Sequence, residues 1–320
     1  MRTPSHYRGR ASAEPEPLVQ RIIGMAAQEI AHALRLPRTG VHMRLLDPIV
    51  HGLTRRFAEL AVAFDADIAA LGIREAADRF ASHFIESRSP LGTETIPSTG
   101  PLIVAANHPG AADAVAILAS LPRDDTALVI SDVPITRAFP HTAGHFIYVS
   151  GEMSSHVQAV REMTRHLQGG GAVVIFPSTN LTPDPSMTLS PEQSGDRTAA
   201  ARDALAEATF GRWSSSILLP LKRVPDCRIQ PAIVSGVLHP RFSRHLLTRY
   251  IPAARSWERQ LLAEVLQVMH QIRTGDRLGL RCRVHFGAPV AGAELRSLER
   301  GVAMATVVDR ALPLLDAAVS

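Results

Sequence analysis

The stretch "IVAANHPGAADAVAI" (residues 103–117) passes from an apolar run, through a short polar turn, into a second apolar run. The first run ends at Asn107-His108-Pro109-Gly110, and the second begins at Ala114. A short apolar run bounded by Pro and Gly is typical of a buried strand, and Pro-Gly redirects the chain sharply. The stretch therefore predicts a strand, a turn and a helix, with polar side chains at the carboxyl end of the strand.

Short β-rich runs recur after residue 95 and alternate with helical patterns, for example over 154–168 and 252–272. The predicted strands are "PLIVAA" (101–106), "TALVIS" (126–131), "HFIYVS" (145–150), "GAVVIF" (171–176), "RIQPAIVSGV" (228–237) and "LRCRVHFG" (280–287). This alternation predicts an α/β fold, with a mainly parallel sheet flanked by helices. Ligands of such sheets bind beyond the carboxyl ends of strands. We therefore expect the His108 turn and "FPSTN" (176–180) at the same edge.

The first part of the chain has a different pattern. Apolar residues at helical spacing predict helices over 17–36, 48–73 and 74–88, and no strand-like alternation interrupts them. We therefore expect a disordered arm over 1–16, a helical N-terminal appendage over 17–90, and the α/β domain over 91–313.

Composition restricts the class of protein. The chain has 320 residues, of which 46% are hydrophobic, and a formal net charge of +4. It is predicted to be globular, too weakly basic for a nucleic-acid partner, and compatible with an anionic membrane surface. Cys227 and Cys282 cannot build a disulfide framework, and the N-terminus lacks the apolar core of a secretory signal. No apolar run reaches the length of a membrane span. These features predict a cytoplasmic protein that would lie on a membrane rather than cross it.

The candidate catalytic pair is His108 and Asp113. If the turn folds back, the Asp113 carboxylate would fix the imidazole tautomer through one ring nitrogen, leaving the other to accept a proton from a hydroxyl. The spacing alone is weak evidence, because His42 and Asp47 share it without a preceding strand. Asp113 has an ordinary alternative role as a helix cap.

Other patterns leave alternatives open. Ser178, Thr179 and Asn180 either meet a ligand or complete a turn, and the glycines at 169–171 precede a strand, which is the wrong order for a phosphate loop. His141 and His145 lack an obvious third ligand, so no metal is expected. The chain has no Gly-x-Ser-x-Gly elbow. The basic run 241–260, which contains Tyr250 and Trp257, is either a solvated face or a surface for lipid headgroups.

Five segments, in order, resemble the sequence blocks of the glycerophospholipid acyltransferases, the family of lysophosphatidate acyltransferase. "ETIPSTGPLIVAANHPGAAD" (94–113) is similar to the first block, which ends in Asn-His followed by Asp. Looser similarities are "GHFIYVS" (144–150), "AVVIFPSTN" (172–180), "IQPAIVSGV" (229–237) and "VHFGAPV" (284–290). The resemblance covers about residues 90–290.

The resemblance implies an activity and a site. His108 would deprotonate a lysolipid hydroxyl, which attacks the thioester of acyl-CoA or an acylated carrier protein, with Asp113 orienting the base and no cofactor required. The resemblance also implies a peripheral membrane protein that acts on the inner face of the cytoplasmic membrane. The residues implied to bind substrate are Asn107, Pro109, Gly110, Phe176, Pro177, Ser178, Thr179 and Asn180. A non-catalytic lipid-binding protein and a thioesterase are the alternatives.

The chain departs from the family in two blocks. Ser178 and Thr179 replace the usual glutamate and glycine of the third block, and Asn180 and Leu181 stand where threonine and arginine are usual. In the second block, Ser150 and Gly151 occupy the place of another arginine. Since those arginines are expected to bind the phosphate of the acceptor, either another arginine substitutes (Arg161, Arg197 or Arg223) or the acceptor has a different headgroup, as in an amino-acid lipid or a glycolipid.

Overall fold

A computed structural model of the chain describes Val19, Ile22, Ile23, Met25 and residues 41–178, 180–188, 199–251 and 256–318. The side chains of 41–51, 188 and 199 are outside this description. The predicted arm over 1–16, and nearly all of the helix predicted over 17–36, therefore lie outside the described residues.

The described elements alternate between helices and strands after residue 87. The helices are α1 Val41–Leu71, α2 Ile73–Ala81, α3 Asp113–Ser120, α4 Met153–Gln168, α5 Pro185–Thr188, α6 Ala199–Phe210, α7 Pro240–Ser243, α8 Leu246–Arg249, α9 Ser256–Thr274, α10 Gly292–Arg296 and α11 Arg300–Ala317. The strands are β1 Ser87–Leu91, β2 Leu102–Ala106, β3 Thr126–Ser131, β4 Phe146–Val149, β5 Ala172–Ile175, β6 Arg228–Ser235, β7 Arg281–Phe286 and β8 Val290–Ala291.

The strands form one sheet in the order β1-β7-β6-β2-β5-β3-β4, with β8 paired to β6. β6 pairs with β7 and with β8 in antiparallel orientation, and the other neighbours are parallel. The predicted mainly parallel sheet is therefore confirmed. β2 lies between β5 and β6, so the turn that follows it opens near the middle of the sheet edge.

Helices cover both faces of the sheet. Because side chains alternate along a strand, Leu102 and Val104 of β2 join one apolar cluster and Ile103 joins the other. The first cluster includes residues of α1, α2, α3 and α9, and the second includes residues of α4, α6 and α11. Every residue of β2 is buried, as expected for a strand covered on both faces.

The helix predicted over 74–88 is wrong beyond Ala81. There the chain turns and enters β1, which pairs in parallel with β7 at the edge of the sheet. β1 has the sequence Ser-Arg-Ser-Pro-Leu, and Pro90 is tolerated because an edge strand leaves one side of its backbone unpaired. No local apolar pattern marks this strand, since pairing with a distant strand creates it.

The N-terminal helices are also part of the core. Ile73 and Ala77 of α2 lie in the same apolar cluster as β2, and α2 packs against α3. The helix predicted over 252–272 corresponds to α9, with residues 252–255 outside the description. Among the residues described, we find no helix with the length and apolar character needed to cross a membrane.

Candidate active site

The His108 turn and the residues after β5 meet at one edge of the sheet. β2 and β5 are parallel neighbours, with Ala105 opposite Ile175, so the segments that follow these two strands leave the sheet at the same edge. His108 follows β2 and Phe176 follows β5. Their meeting, which the alternation of strands and helices predicted, is confirmed.

The turn brings the carboxylate of Asp113 to the imidazole of His108. Asp113 is the first residue of α3, and its backbone N–H donates to the carbonyl of Gly110 at 3.1 Å. Its Oδ2 lies 2.8 Å from His108 Nδ1 and accepts the Gly110 N–H at 3.0 Å. Asp113 is buried and does not cap its helix through its side chain, so the alternative role as a cap is not seen.

The electrostatics of His108 favour a base. Burial lowers the pKa of His108, but the charge of Asp113 and its hydrogen bond raise that pKa, and the net direction is upward. The second ring nitrogen, Nε2, makes no hydrogen bond with any described residue, and the side chain is 29% exposed. This arrangement leaves Nε2 available to accept a proton.

Phe176 fixes the plane of the imidazole. Its ring stacks on that of His108, with centroids 4.4 Å apart and an interplanar angle of 18°. Phe176 itself is half-buried. With Asp113 on one ring edge and Phe176 on one ring face, the imidazole has little freedom to rotate.

Backbone contacts hold the turn from the side of Thr182. The hydroxyl of Thr182 accepts the backbone N–H of His108 at 3.0 Å. The backbone N–H of Thr182 donates to the carbonyl of His108 at 2.8 Å. Gln260 on α9 donates to the carbonyls of Pro109 and Thr182, at 2.7 and 2.6 Å. The segment after β5 and the helix α9 thus both hold the His108 turn in place.

Asn107 supports the turn from within the sheet. It is fully buried, its amide donates to the carbonyl of Val234 at 2.9 Å, and its oxygen accepts the Val234 N–H at 2.7 Å. The predicted contact with substrate does not fit this placement, because its side chain is turned into β6. Asn107 instead ties the end of β2 to its neighbour.

Glu264 fills the space behind Gly110. A Cβ atom at Gly110 would stand 2.7 Å from Glu264 Oε1 and 3.1 Å from Val237 Cγ2, so a larger residue would fit only if the Glu264 side chain moved. Burial raises the pKa of the Glu264 carboxyl well above its ordinary value, and the charge of Asp113 adds to that rise. The buried site therefore favours the protonated form of the Glu264 carboxyl over the charged form.

The "FPSTN" segment forms a turn. Pro177 is buried, and the Ser178 hydroxyl donates to the carbonyl of Asn180 at 2.8 Å. Asn180 is exposed, while Thr179 lies outside the described residues. The turn interpretation thus accounts for Ser178. Pro109 is buried next to His108, and its carbonyl is bound by Gln260.

Two of the predicted substitutes for the missing arginines, Arg161 and Arg223, are not at the His108 turn. Arg223 precedes β6 and so lies at the opposite edge of the sheet, Arg161 is exposed on α4, and Arg197 is outside the described residues. A different arginine lies at the site edge: Arg137 pairs with Asp132 and covers the ring of Tyr148 at 4.1 Å. Its charge is matched by that pair.

Sequence reasoning missed four supporting residues: Thr182, Asp184, Gln260 and Glu264. The oxygens of Asp184 accept the backbone N–H groups of Gly236, Val237 and Leu238, which follow β6. A signal existed for the helix residues, since polar side chains recur on α9 with helical spacing at Gln260, Glu264, Gln267 and Gln271, on a side that is mostly buried. Such a buried polar stripe indicates that a helix binds backbone groups of neighbouring loops.

Other candidate sites are accounted for by ordinary contacts. His145 Nδ1 bonds to the carbonyl of Thr126, and the backbone N–H of His141 donates to Asp65. In the described part of the chain, no three His, Cys, Asp or Glu side chains are grouped as metal ligands would be. Cys227 and Cys282 are free and buried, and burial raises the pKa of the Cys227 thiol to about 12.

Residues 91–221, which include the His108 turn, match the family model described as "Acyltransferase", which agrees with the predicted resemblance at the level of an acyltransferase. The chain is similar to the crystal structure of the 1-acyl-sn-glycerophosphate (LPA) acyltransferase PlsC from Thermotoga maritima, at 16% identity and a TM-score of 0.45, over 95% of each chain. A TM-score this low carries no weight for activity. None of the curated proteins matches the chain.

Proposed function

We propose that the protein transfers a fatty acyl group from a thioester donor to a hydroxyl of a lysolipid or related glycerolipid, and the match of residues 91–221 to the acyltransferase family model supports this. The donor is acyl-CoA or an acylated carrier protein. His108 is the general base, and Asp113 orients it. The site of action in this proposal is the inner face of the cytoplasmic membrane, where both substrates meet.

The proposed reaction uses His108 twice. Nε2 takes the proton of the acceptor hydroxyl while the oxygen attacks the thioester carbonyl carbon. The tetrahedral intermediate collapses, the carbon–sulfur bond breaks, and the thiolate takes the proton back from the imidazolium. The products are an ester and a free thiol, and no covalent enzyme intermediate is needed.

One observation carries the proposal: the 2.8 Å contact between His108 Nδ1 and Asp113 Oδ2, at the carboxyl end of β2 and inside the matched segment. The opposite nitrogen has no described partner. A protein that only binds lipid has no need of a base held in this way, which favours a catalyst over the non-catalytic alternative.

The acceptor in this proposal is a lysolipid whose headgroup does not depend on the family's usual arginines. Ser150 and Gly151 replace one of them, and the turn at Ser178 and Asn180 presents no cation. A charged hydrogen bond contributes about 1.5–3 kcal/mol. Losing two such bonds disfavours a phosphomonoester acceptor and fits an amino-acid lipid or a glycolipid.

The test is turnover with a mixed acceptor pool. Purified protein and the His108→Ala variant are incubated with labelled acyl-CoA and a total bacterial lysolipid extract, and the products are identified by mass spectrometry. A labelled diacyl product made only by the wild type supports the proposal, and its headgroup identifies the acceptor. Labelled free fatty acid without a new lipid indicates a hydrolase. No turnover with either acyl-CoA or acylated carrier protein indicates a lipid-binding protein.

A further inference from the structure

A group of exposed apolar side chains lies on α8 and at the start of α9. Leu246 is 69% exposed, Leu247 50%, Tyr250 86% and Trp257 40%. We call these four residues the apolar tip. Large apolar side chains gathered at one exposed place usually mark an interaction surface, whereas scattered ones do not.

The burial pattern of α8 is the reverse of that in an ordinary surface helix. Of its two polar residues, Arg249 is exposed but Thr248 is fully buried, with its hydroxyl bound to the carbonyls of Ser243 and His245, while Leu246 and Leu247 are exposed. The ring of His245 also accepts the N–H of Leu247. These bonds hold the two leucines outside, so their exposure is built into the fold.

The charge around the apolar tip is strongly positive. Between Pro240 and Gln260 the chain has five arginines, at 241, 244, 249, 255 and 259, and one acidic residue, Glu258. Arg241, Arg244 and Arg249 are exposed, and none of them forms an ion pair with a described residue. Arg241 also lies over the ring of Phe242, 5.6 Å from its centroid. Exposed arginines without an acidic partner, close in sequence to exposed leucines, tryptophan and tyrosine, match the interfacial region of an anionic bilayer.

The apolar tip lies at the same edge of the sheet as His108. α7 and α8 follow the carboxyl end of β6, which is parallel to β2. A cavity of about 240 Å³ is lined by Asp184, by Ser243 of α7 and by Ser256, Arg259 and Gln260 of α9. Gln260, one turn of helix beyond Trp257, binds the carbonyl of Pro109. Helix α9 therefore joins the tip to the His108 turn.

We propose that the apolar tip inserts into the interface of an anionic phospholipid bilayer, with Arg241, Arg244 and Arg249 on lipid phosphates. This surface is distinct from the catalytic residues. The proposal rests on the proposed function only for the identity of the acceptor, because binding can be measured without turnover. A protein partner is a less suitable occupant, since the exposed face has three unpaired arginines and Glu258 as its one acidic residue in the described sequence from 240 to 260.

Vesicle sedimentation with the full chain tests the proposal. The probes are vesicles of phosphatidylcholine alone and of phosphatidylcholine with phosphatidylglycerol. The wild type should bind the anionic vesicles, more weakly as salt is raised. Leu246→Ser/Leu247→Ser should require about tenfold more lipid for half-binding. Arg241→Gln/Arg244→Gln/Arg249→Gln should lose about fivefold for each arginine removed.

Matched variants at the opposite edge control for general effects. Leu298 and Val302 are exposed near the start of α11, and Arg223, Arg228 and Arg296 are exposed at the same end of the sheet. Leu298→Ser/Val302→Ser and Arg223→Gln/Arg228→Gln/Arg296→Gln should bind like the wild type. Equal losses in tip and control variants overturn the proposal, as does a wild type that binds neither vesicle. A wild-type dimer that only the tip variants disperse would also overturn it, in favour of a second copy.

Turnover separates failure of this proposal from failure of the proposed function. If both are right, the tip variants lose activity on a vesicle-borne acceptor and keep it on a dissolved short-chain lysolipid. If the wild type binds vesicles but turns over neither acceptor, the docking surface is supported and the proposed enzymatic function is wrong. If the tip variants retain full turnover of the vesicle-borne acceptor, the docking surface is wrong and the proposed enzymatic function is supported. Thermal unfolding of each variant confirms that it is folded.

Discussion

Phe176 stacks on His108, with ring centroids 4.4 Å apart, and so joins the turn after β5 to the turn after β2. A stacked pair contributes about 0.5–1.5 kcal/mol beyond its buried area. If that contact orients the base, Phe176→Leu should lower kcat by about twofold to tenfold. Phe176→Tyr keeps the ring and should stay near wild type. Steady-state kinetics decide this, and a loss confined to KM would instead assign Phe176 to substrate binding.

Removing the base should abolish most of the activity. His108→Ala should lower turnover by about 10²–10⁴-fold, the usual contribution of a positioned general base. His108→Gln keeps the size and the hydrogen-bonding capacity of the side chain, and should be equally inactive. Unfolding by urea should show both variants folded. A rate that survives both substitutions would remove His108 from the mechanism.

The pH profile should report the raised pKa of His108. The base acts in its neutral form, so activity should fall as the pH drops through that pKa, which the charge and hydrogen bond of Asp113 hold above the ordinary value. Asp113→Asn removes the charge, and the acid limb of kcat/KM should move to lower pH as the maximal rate falls. An acid limb that does not move would mean that another group titrates.

The same pair links stability to pH. A histidine whose pKa is raised in the folded state stabilises the fold fully below its unfolded pKa, about 6.5, and loses that contribution as the pH rises through the folded value. The difference in unfolding free energy between the wild type and Asp113→Asn should therefore shrink between mildly acidic and alkaline pH. Urea titrations at several pH values measure it.

Much of the sheet could be predicted from local sequence, because buried strands such as 102–106 are continuous apolar runs and need no partner to be recognised. β1 could not, since its five residues are stabilised by pairing with β7, almost two hundred positions away. The pair of His108 and Asp113 was predictable for the same local reason: a five-residue turn determines its geometry. Gln260 and Glu264 reach the turn from a distant helix, and nothing near residue 108 points to them.

Thr182 should matter for stability as well as activity. Its hydroxyl accepts the backbone N–H of His108, and Thr182 is itself buried. Thr182→Val keeps the shape but leaves that N–H unpaired, which should cost about 1–3 kcal/mol of unfolding free energy. Thr182→Ser retains the oxygen and should recover most of the loss in both unfolding and turnover. Equal behaviour of the two variants would mean that the hydroxyl contributes little.

Gly110 and Glu264 should be energetically coupled by steric crowding rather than by charge. An alanine at 110 would place its Cβ 2.7 Å from Glu264 Oε1, inside the turn that orients Asp113. Gly110→Ala should therefore destabilise the fold by about 1–3 kcal/mol, the usual cost of overpacking, and lower the rate.

Substitutions at Glu264 distinguish steric crowding from charge as the reason why Gly110→Ala is destabilising. Glu264→Ala makes room, so Gly110→Ala/Glu264→Ala should be less damaged than the sum of the single variants. Glu264→Gln keeps the size of the side chain, and burial already disfavours the charged form of Glu264 by raising its pKa, so this variant should be nearly silent alone and should not relieve Gly110→Ala. A double-mutant cycle from urea unfolding and kcat measures the coupling. Relief by glutamine as large as relief by alanine would show that a carboxylate charge, and not crowding, excludes a side chain at position 110.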